Sequence, residues 1–160
     1  MSRIAQALLR AVPRLAAPAV VAVALAACGT ISRTPPVPTP ADFGGIAGAL
    51  VQRGIDVSHV VSGDPGCPDQ NLAKTAIAFD AKGIDQATTV RVYVYIFRDR
   101  ATYDRLRSTI DDCARSYVTD PNTYETVETS PYVMSGQGPW GEQFKENLRA
   151  AITEAAGTGD

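Results

Sequence analysis

The sequence predicts a single small α+β domain over residues 42–157, in which a mostly antiparallel sheet of about four to five strands is packed by two to three helices. Three observations carry that expectation. The hydrophobic period switches between helical and strand spacing in the order helix, three strands, helix, hairpin, helix. In Thr88–Phe97, Val90, Val92, Val94 and Ile96 alternate with Thr89, Arg91, Tyr93, Tyr95 and Phe97, so both faces are largely apolar, as in a central strand covered on two sides. The stretch is also long enough for one modest core.

Before this domain the chain opens on a leader. Residues 1–14 carry Arg3, Arg10 and Arg14 with no acidic residue, and Leu15–Ala27 is an almost unbroken apolar run, the layout of a signal peptide. A membrane-spanning helix needs about 20 apolar residues, and Pro18 interrupts this shorter run. Leu25-Ala26-Ala27-Cys28, followed by Gly29, resembles the lipobox of bacterial lipoproteins. The resemblance implies that residues 1–27 are removed, that Cys28 takes a diacylglyceryl thioether, and that its new N-terminus is acylated by a fatty acid such as palmitate. Two or three chains anchor firmly where one binds only marginally, so the membrane is the first expected partner. The expected location is extracytoplasmic, on the cell membrane or the outer membrane. In a cell with two membranes the outer is favoured, because Gly29 after Cys28 is not the aspartate that resembles an inner-membrane retention signal. Residues 28–41 then form a tether, with four prolines between Gly29 and Ala41. In an extended polyproline conformation of about 3.1 Å per residue, it reaches up to about 40 Å.

Each element of the domain has a local reason. Asp42 is placed to cap a helix whose apolar positions are Phe43, Ile46, Ala47, Leu50 and Val51, and Gly54 suits its left-handed end. Gly44, Gly45 and Gly48 weaken that helix, so packing must hold it. Ile55–Ser62 alternates as a strand, residues 63–69 are turn chemistry, and Thr75–Ala81 reads as a second strand. Lys82–Ala87 reads as a loop leading into the Val/Tyr strand. Asp99 caps a helix lined by Tyr103, Leu106, Ile110, Cys113, Ala114 and Tyr117, with Asp104, Arg107, Asp111 and Arg115 on a solvated face. Residues 118–123 turn, and Tyr124–Glu128 and Tyr132–Ser135 form a hairpin about Ser130-Pro131. A glycine-rich turn over 136–141 packs Trp140, and a last helix over 142–156 buries Phe144, Leu148, Ala151, Ile152 and Ala155 before Gly157 and a short tail, 158–160.

In outline, residues 42–156 resemble small α+β lipoproteins of the cell envelope of high-GC bacteria. The likeness rests on a helix ending in Gly before a strand, a Val/Tyr strand running into a capped helix, and a Tyr-Val strand before the final helix. That group supplies no activity to carry over. If Cys28 is lipidated, Cys67 and Cys113 remain as a pair in an oxidising compartment, where a disulfide is the default. The rival reading, free thiols of a redox or metal site, lacks a further cysteine or histidine at ligand spacing.

Charge and motifs narrow the function. Three of the 15 basic residues and none of the 17 acidic ones precede Cys28, leaving 12 against 17, about −5, in the mature chain. That argues against nucleic acid, which needs a concentrated basic footprint. Asp64 and Asp69 lack the acidic alternation of a calcium loop, so no metal is expected, and the glycines of 136–141 lack nucleotide-loop spacing, so no cofactor is expected. Asp111 and Asp112 diverge by about 100° on a helix. Ser135 lacks the preceding glycine of a nucleophile elbow, and His59, the sole histidine, reads as a strand residue beside the core. No catalytic set follows, and enzyme activity is not expected. The favoured reading is a binding module for a small ligand or a partner, with Tyr93, Tyr95 and Phe97 on one strand face and Tyr132 or Trp140 joining them. The alternative is an assembly subunit of an envelope complex, bound through an acidic surface or a sheet edge.

Overall fold

A computed structural model describes residues 43–157. The expected leader, lipobox with Cys28, tether, Asp42 cap and tail lie outside the described residues. Helix α1 spans Phe43–Gln52, β1 Asp56–Ser62, α2 Gln70–Ala73, β2 Ala76–Gly83, β3 Gln86–Ile96, α3 Arg100–Ala114, β4 Tyr124–Thr129, β5 Tyr132–Gln137 and α4 Glu142–Ala156. The strands form one antiparallel sheet in the order β1-β2-β3-β5-β4, so the Val/Tyr strand is the middle one. This is the expected small α+β domain.

Both faces of β3 are buried, by different partners. Val92, Val94 and Ile96 join Phe79 and Met134 beneath α1 and α4, which contribute Ile46, Leu50, Phe144, Leu148 and Ile152. Tyr93, Tyr95 and Phe97 join Leu72 and Val133 on the opposite face, where α3 contributes Ile110 and Cys113. Asp99 caps α3 as expected, its Oδ1 accepting from the Thr102 amide at 2.7 Å. Helix α1 ends on Gly54 at φ +79, with the Ile55 amide bonded to the Leu50 carbonyl and the Gly54 amide to that of Val51. That pairing is a Schellman motif, and both Leu50 and Ile55 are buried in the core beside it.

Three expectations are corrected and one element is added. Val51 is exposed, because it lies about 100° past Leu50 and off the buried stripe of Phe43, Ile46, Ala49 and Leu50. Residues 82–87 are not a loop: β2 and β3 run on until Gly83 pairs with Gln86, leaving Ile84-Asp85 as a two-residue turn. Gly83 permits this, since a Cβ there would fall 2.2 Å from the Gly54 carbonyl oxygen. The one-turn α2 is too short for a periodicity to register, and it is started by Asp69, whose carboxylate accepts from the Asn71 and Leu72 amides. Arg107 is also more than a solvated charge, because it pairs with Asp111 on α3 and with Glu128 on β4.

The turn at Ile84-Asp85 also begins the last helix. Gly141 offers no side chain to cap α4, and the Asp85 carboxylate supplies the acceptor instead, at 3.0 Å from the Gln143 amide and 2.9 Å from that of Phe144. A Cβ on Gly141 would lie 2.3 Å from that carboxylate. Asp85→Ala is therefore expected to lower stability by about 1 kcal/mol, the usual cost of a lost helix cap, checked by its urea midpoint. An unchanged midpoint would mean that water replaces the cap.

Cys67 and Cys113 are disulfide-bonded, with Cα atoms 5.4 Å apart and a separation of 46 positions in sequence. The bond ties the 63–69 turn to the buried stripe of α3. Replacing both cysteines by serine is expected to lower stability by about 4 kcal/mol through the freed unfolded chain. Urea unfolding of the oxidised protein and the double variant measures it, and superimposable curves would contradict the expectation.

Candidate functional site

Helix α3 covers only part of the second sheet face. Tyr95 and Phe97 are fully buried there, but further along the strands Asp80 on β2 and Arg91 on β3 lie opposite one another and are only half-buried. The 63–69 turn closes over the boundary between the two zones. At Gly66, φ +77, a Cβ would sit 2.5 Å from a Tyr117 ring carbon and 2.8 Å from Tyr93 Cζ, so only glycine lets the backbone rest on these rings. The two rings are stacked at a tilt of 31°, with centroids 4.3 Å apart.

Arg91 joins three segments at this open end. Its Nη1 donates to Asp80 Oδ1 at 3.0 Å and to the His59 carbonyl at 2.9 Å, and its Nη2 donates to Asp64 Oδ2 at 3.4 Å. Asp64 in turn accepts from the Gly66 amide at 2.9 Å, which couples the guanidinium to the turn over the tyrosines. Burial works against the charged guanidinium, but its bonds to Asp80 and Asp64 outweigh this and hold the Arg91 pKa above its ordinary value. The second oxygen of Asp80 lies 3.1 Å from His59 Nδ1. His59 sits at φ +47 where the β1–β2 register slips, and its side chain is 79 % exposed. The expectation of a strand residue beside the core is thus corrected: the bulge turns His59 outward onto Asp80.

Two recesses adjoin in this zone. The first, about 300 Å³, is lined by Thr89, Val90, Arg91, Tyr93, Tyr117 and Gln137. It exists because β3 outruns β5, whose last pair with it is Val92 with Gly136. The second, about 250 Å³, is lined by Asp56, Ser58, His59, Asp80, Ala81, Lys82 and Thr89. They meet at Thr89. A larger opening of about 560 Å³ is lined by Glu146, Arg149, Ala150, Thr153, Glu154 and Gly157, but these belong to α4 and its end and do not converge from separate elements.

The aromatic residues singled out from the sequence are divided by the sheet. Tyr93, Tyr95 and Phe97 do share a face, but Tyr95 and Phe97 are core beneath α3, and only Tyr93 reaches a recess. Tyr132 and Trp140 are buried in the core of the other face, with Trp140 edge-on to Phe144 and its Nε1 donating to the Gln137 carbonyl. The five therefore make no common platform, because a strand that is apolar on both sides sends its aromatics into the core. Ser135 is buried and shares a 2.8 Å hydrogen bond with the Tyr117 hydroxyl. Asp111 accepts from Arg107 and the Tyr124 hydroxyl, while Asp112 pairs with Arg115, so the adjacent carboxylates point to different partners. Among the described residues, no group of three or more His, Cys, Asp or Glu is arranged to hold a metal ion, and no helix is long and apolar enough to cross a membrane.

The sequence reading missed Asp64, Asp80, Thr89, Arg91, Tyr117 and Gln137 as neighbours. One signal was present: Asp80 follows Ala76 and Ala78, and Arg91 precedes Tyr93, Tyr95 and Phe97, on their strand faces, and a charge at the end of an apolar run needs a partner. Comparison with protein-family models, with curated proteins and with solved structures finds no match for this chain.

The phenols beneath and beside this zone resist ionisation. Burial raises the pKa of Tyr95 and of Tyr117, and at Tyr124 burial acts together with the bond to Asp111. A raised folded-state pKa means that the folded protein keeps protons which the unfolded chain loses above about pH 10, so stability is full below that pH and falls as pH rises further. The slope is about 1.4 kcal/mol per pH unit for each phenol withheld. Tyr95→Phe is expected to flatten the decline by one such step, read from urea midpoints between neutral and strongly alkaline pH. Parallel profiles for variant and parent would contradict it.

Proposed function

We propose that this chain is a lipid-anchored extracytoplasmic binding module that holds a small ligand on the open half of its second sheet face. One observation carries the reading: side chains from β1, β2, β3, β5 and the segment after α3 converge on two adjoining recesses. Several of them, Arg91, Asp80 and Gln137, are already held by hydrogen bonds, Arg91 also through Asp64. Polar groups fixed in this way lower the ordering cost of binding. The lipobox resemblance supports the anchor, and the Pro-rich tether supports a domain held clear of the bilayer.

The reading as a ligand module is tested by exposing the full chain to extract from the source cells and measuring its intact mass under native conditions. A small-mass adduct that disappears in Thr89→Arg supports it; an adduct retained in that variant, or none in either protein, counts against it. The anchor is tested separately. Cys28→Ser is expected to move the protein from the membrane fraction to the soluble fraction and to remove the mass of the acyl chains, and an unchanged distribution would overturn it.

A second reading, an assembly subunit, is favoured by a different observation. Among the described residues, the exposed large hydrophobics are Val60 and Val61 on edge strand β1, with Val51 and Ile84 flanking the turn at Gly54 beside that edge. Crosslinking in intact envelopes separates the two, since an assembly subunit gives one stoichiometric partner that is lost when Val60 and Val61 are changed to lysine.

A further inference from the structure

The chemistry of the paired recesses narrows the ligand class, an argument that rests on the open half-face being the ligand site. Arg91 is the one charged residue lining the first recess, and it is already committed: both terminal nitrogens are bonded, to Asp80, Asp64 and the His59 carbonyl. An incoming anion would meet a neutralised cation with two carboxylates beside it in the first recess, and Asp56 and Asp80 beside Lys82 in the second, so phosphate or carboxylate recognition is disfavoured. A purely apolar ligand is disfavoured for the opposite reason. It would strip water from Thr89, Gln137 and the acceptors of the second recess without replacing their hydrogen bonds.

What the recesses offer is a mixture of donors and acceptors beside an aromatic wall. The Gln137 amide is oriented by Thr119, with Nε2 donating to Thr119 Oγ1 at 3.0 Å and Oε1 accepting from the Thr119 amide at 3.3 Å. Tyr93 and Tyr117 give the apolar surface, and the exposed Thr89 hydroxyl joins this recess to Ser58, Asp80 and Lys82 in the next. We infer that the two recesses bind an uncharged saccharide lying across β3 at Thr89. Its hydroxyls both donate and accept, its C–H groups suit the small apolar surface that Tyr93 and Tyr117 give the first recess, and its lack of charge suits a cluster in which Arg91 is already balanced. Two recesses meeting end to end suit more than one sugar ring.

The test uses the full lipidated chain in a detergent without a sugar headgroup, with maltotriose and chitotriose as probes in saturation-transfer NMR and inorganic phosphate as the anionic control. Thr89→Arg, at an exposed position, fills the junction of the recesses, and Gln137→Ala removes the oriented amide. Retention of the Cys67–Cys113 disulfide and of the parent urea midpoint establishes that each variant is folded. Transfer to a trisaccharide that vanishes in Thr89→Arg and weakens about tenfold in Gln137→Ala supports the inference. Transfer of equal strength in Thr89→Arg overturns the site. Phosphate shifting the amide resonances of residues 89–93, with no saccharide transfer, overturns the ligand class and leaves the binding face standing. No response to either probe overturns the saccharide inference, and the native-mass adduct then decides separately whether the face binds a ligand at all.

Discussion

Strand β3 has two apolar faces, and the architecture follows from burying both of them. Val92, Val94 and Ile96 need a layer on one side, and Tyr93, Tyr95 and Phe97 need one on the other. The chain supplies α1 and α4 to the first face but to the second only α3 and the one-turn α2, which adds Leu72. At 15 residues α3 is about 22 Å long, whereas the 11 residues of β3 extend about 36 Å. One helix cannot cover that length, so part of the second face must be polar. Asp80 and Arg91 stand opposite one another where the cover ends.

The uncovered end is held in shape by short-range devices. The disulfide anchors the 63–69 turn to α3, Gly66 lets that turn rest on Tyr93 and Tyr117, and Arg91 joins the same turn to β2 and to the bulge in β1. The Tyr95 hydroxyl donates to the Pro65 carbonyl from below, so the turn is tied from the core as well as from the surface. At the hairpin turn beyond this uncovered end, Asp85 and Gln86 accept from the first amides of α4 and its preceding Gly141. The β2–β3 hairpin therefore organises both layers. One end starts a helix on the first face, and the middle carries the polar cluster of the second.

Much of the fold was legible along the chain. The order of elements, the Asp99 cap, the end of α1 at Gly54, the Ser130-Pro131 hairpin and the cysteine pairing each depend on residues whose local chemistry admits few alternatives. The misreadings occurred where a distant partner changes the local rule. Gly83 and Ile84 look like loop residues until the Gly54 backbone is placed against them, and His59 looks like an ordinary strand position until the register slip turns it outward. The aromatic residues misled for a related reason. Tyr132 and Trp140 share their composition with Tyr93, but the parity of each strand and the path of the 136–141 turn send them to the other face.

Sequence alone determined the α+β class and the two-sided central strand, because composition, period and capping chemistry are properties of neighbouring residues. Tertiary structure decided which half of the second face is left open, that Arg91 is balanced by Asp64 and Asp80, and that Thr89 joins two recesses. Those are facts about residues tens of positions apart, and they exist only once strand register and helix length set what covers what.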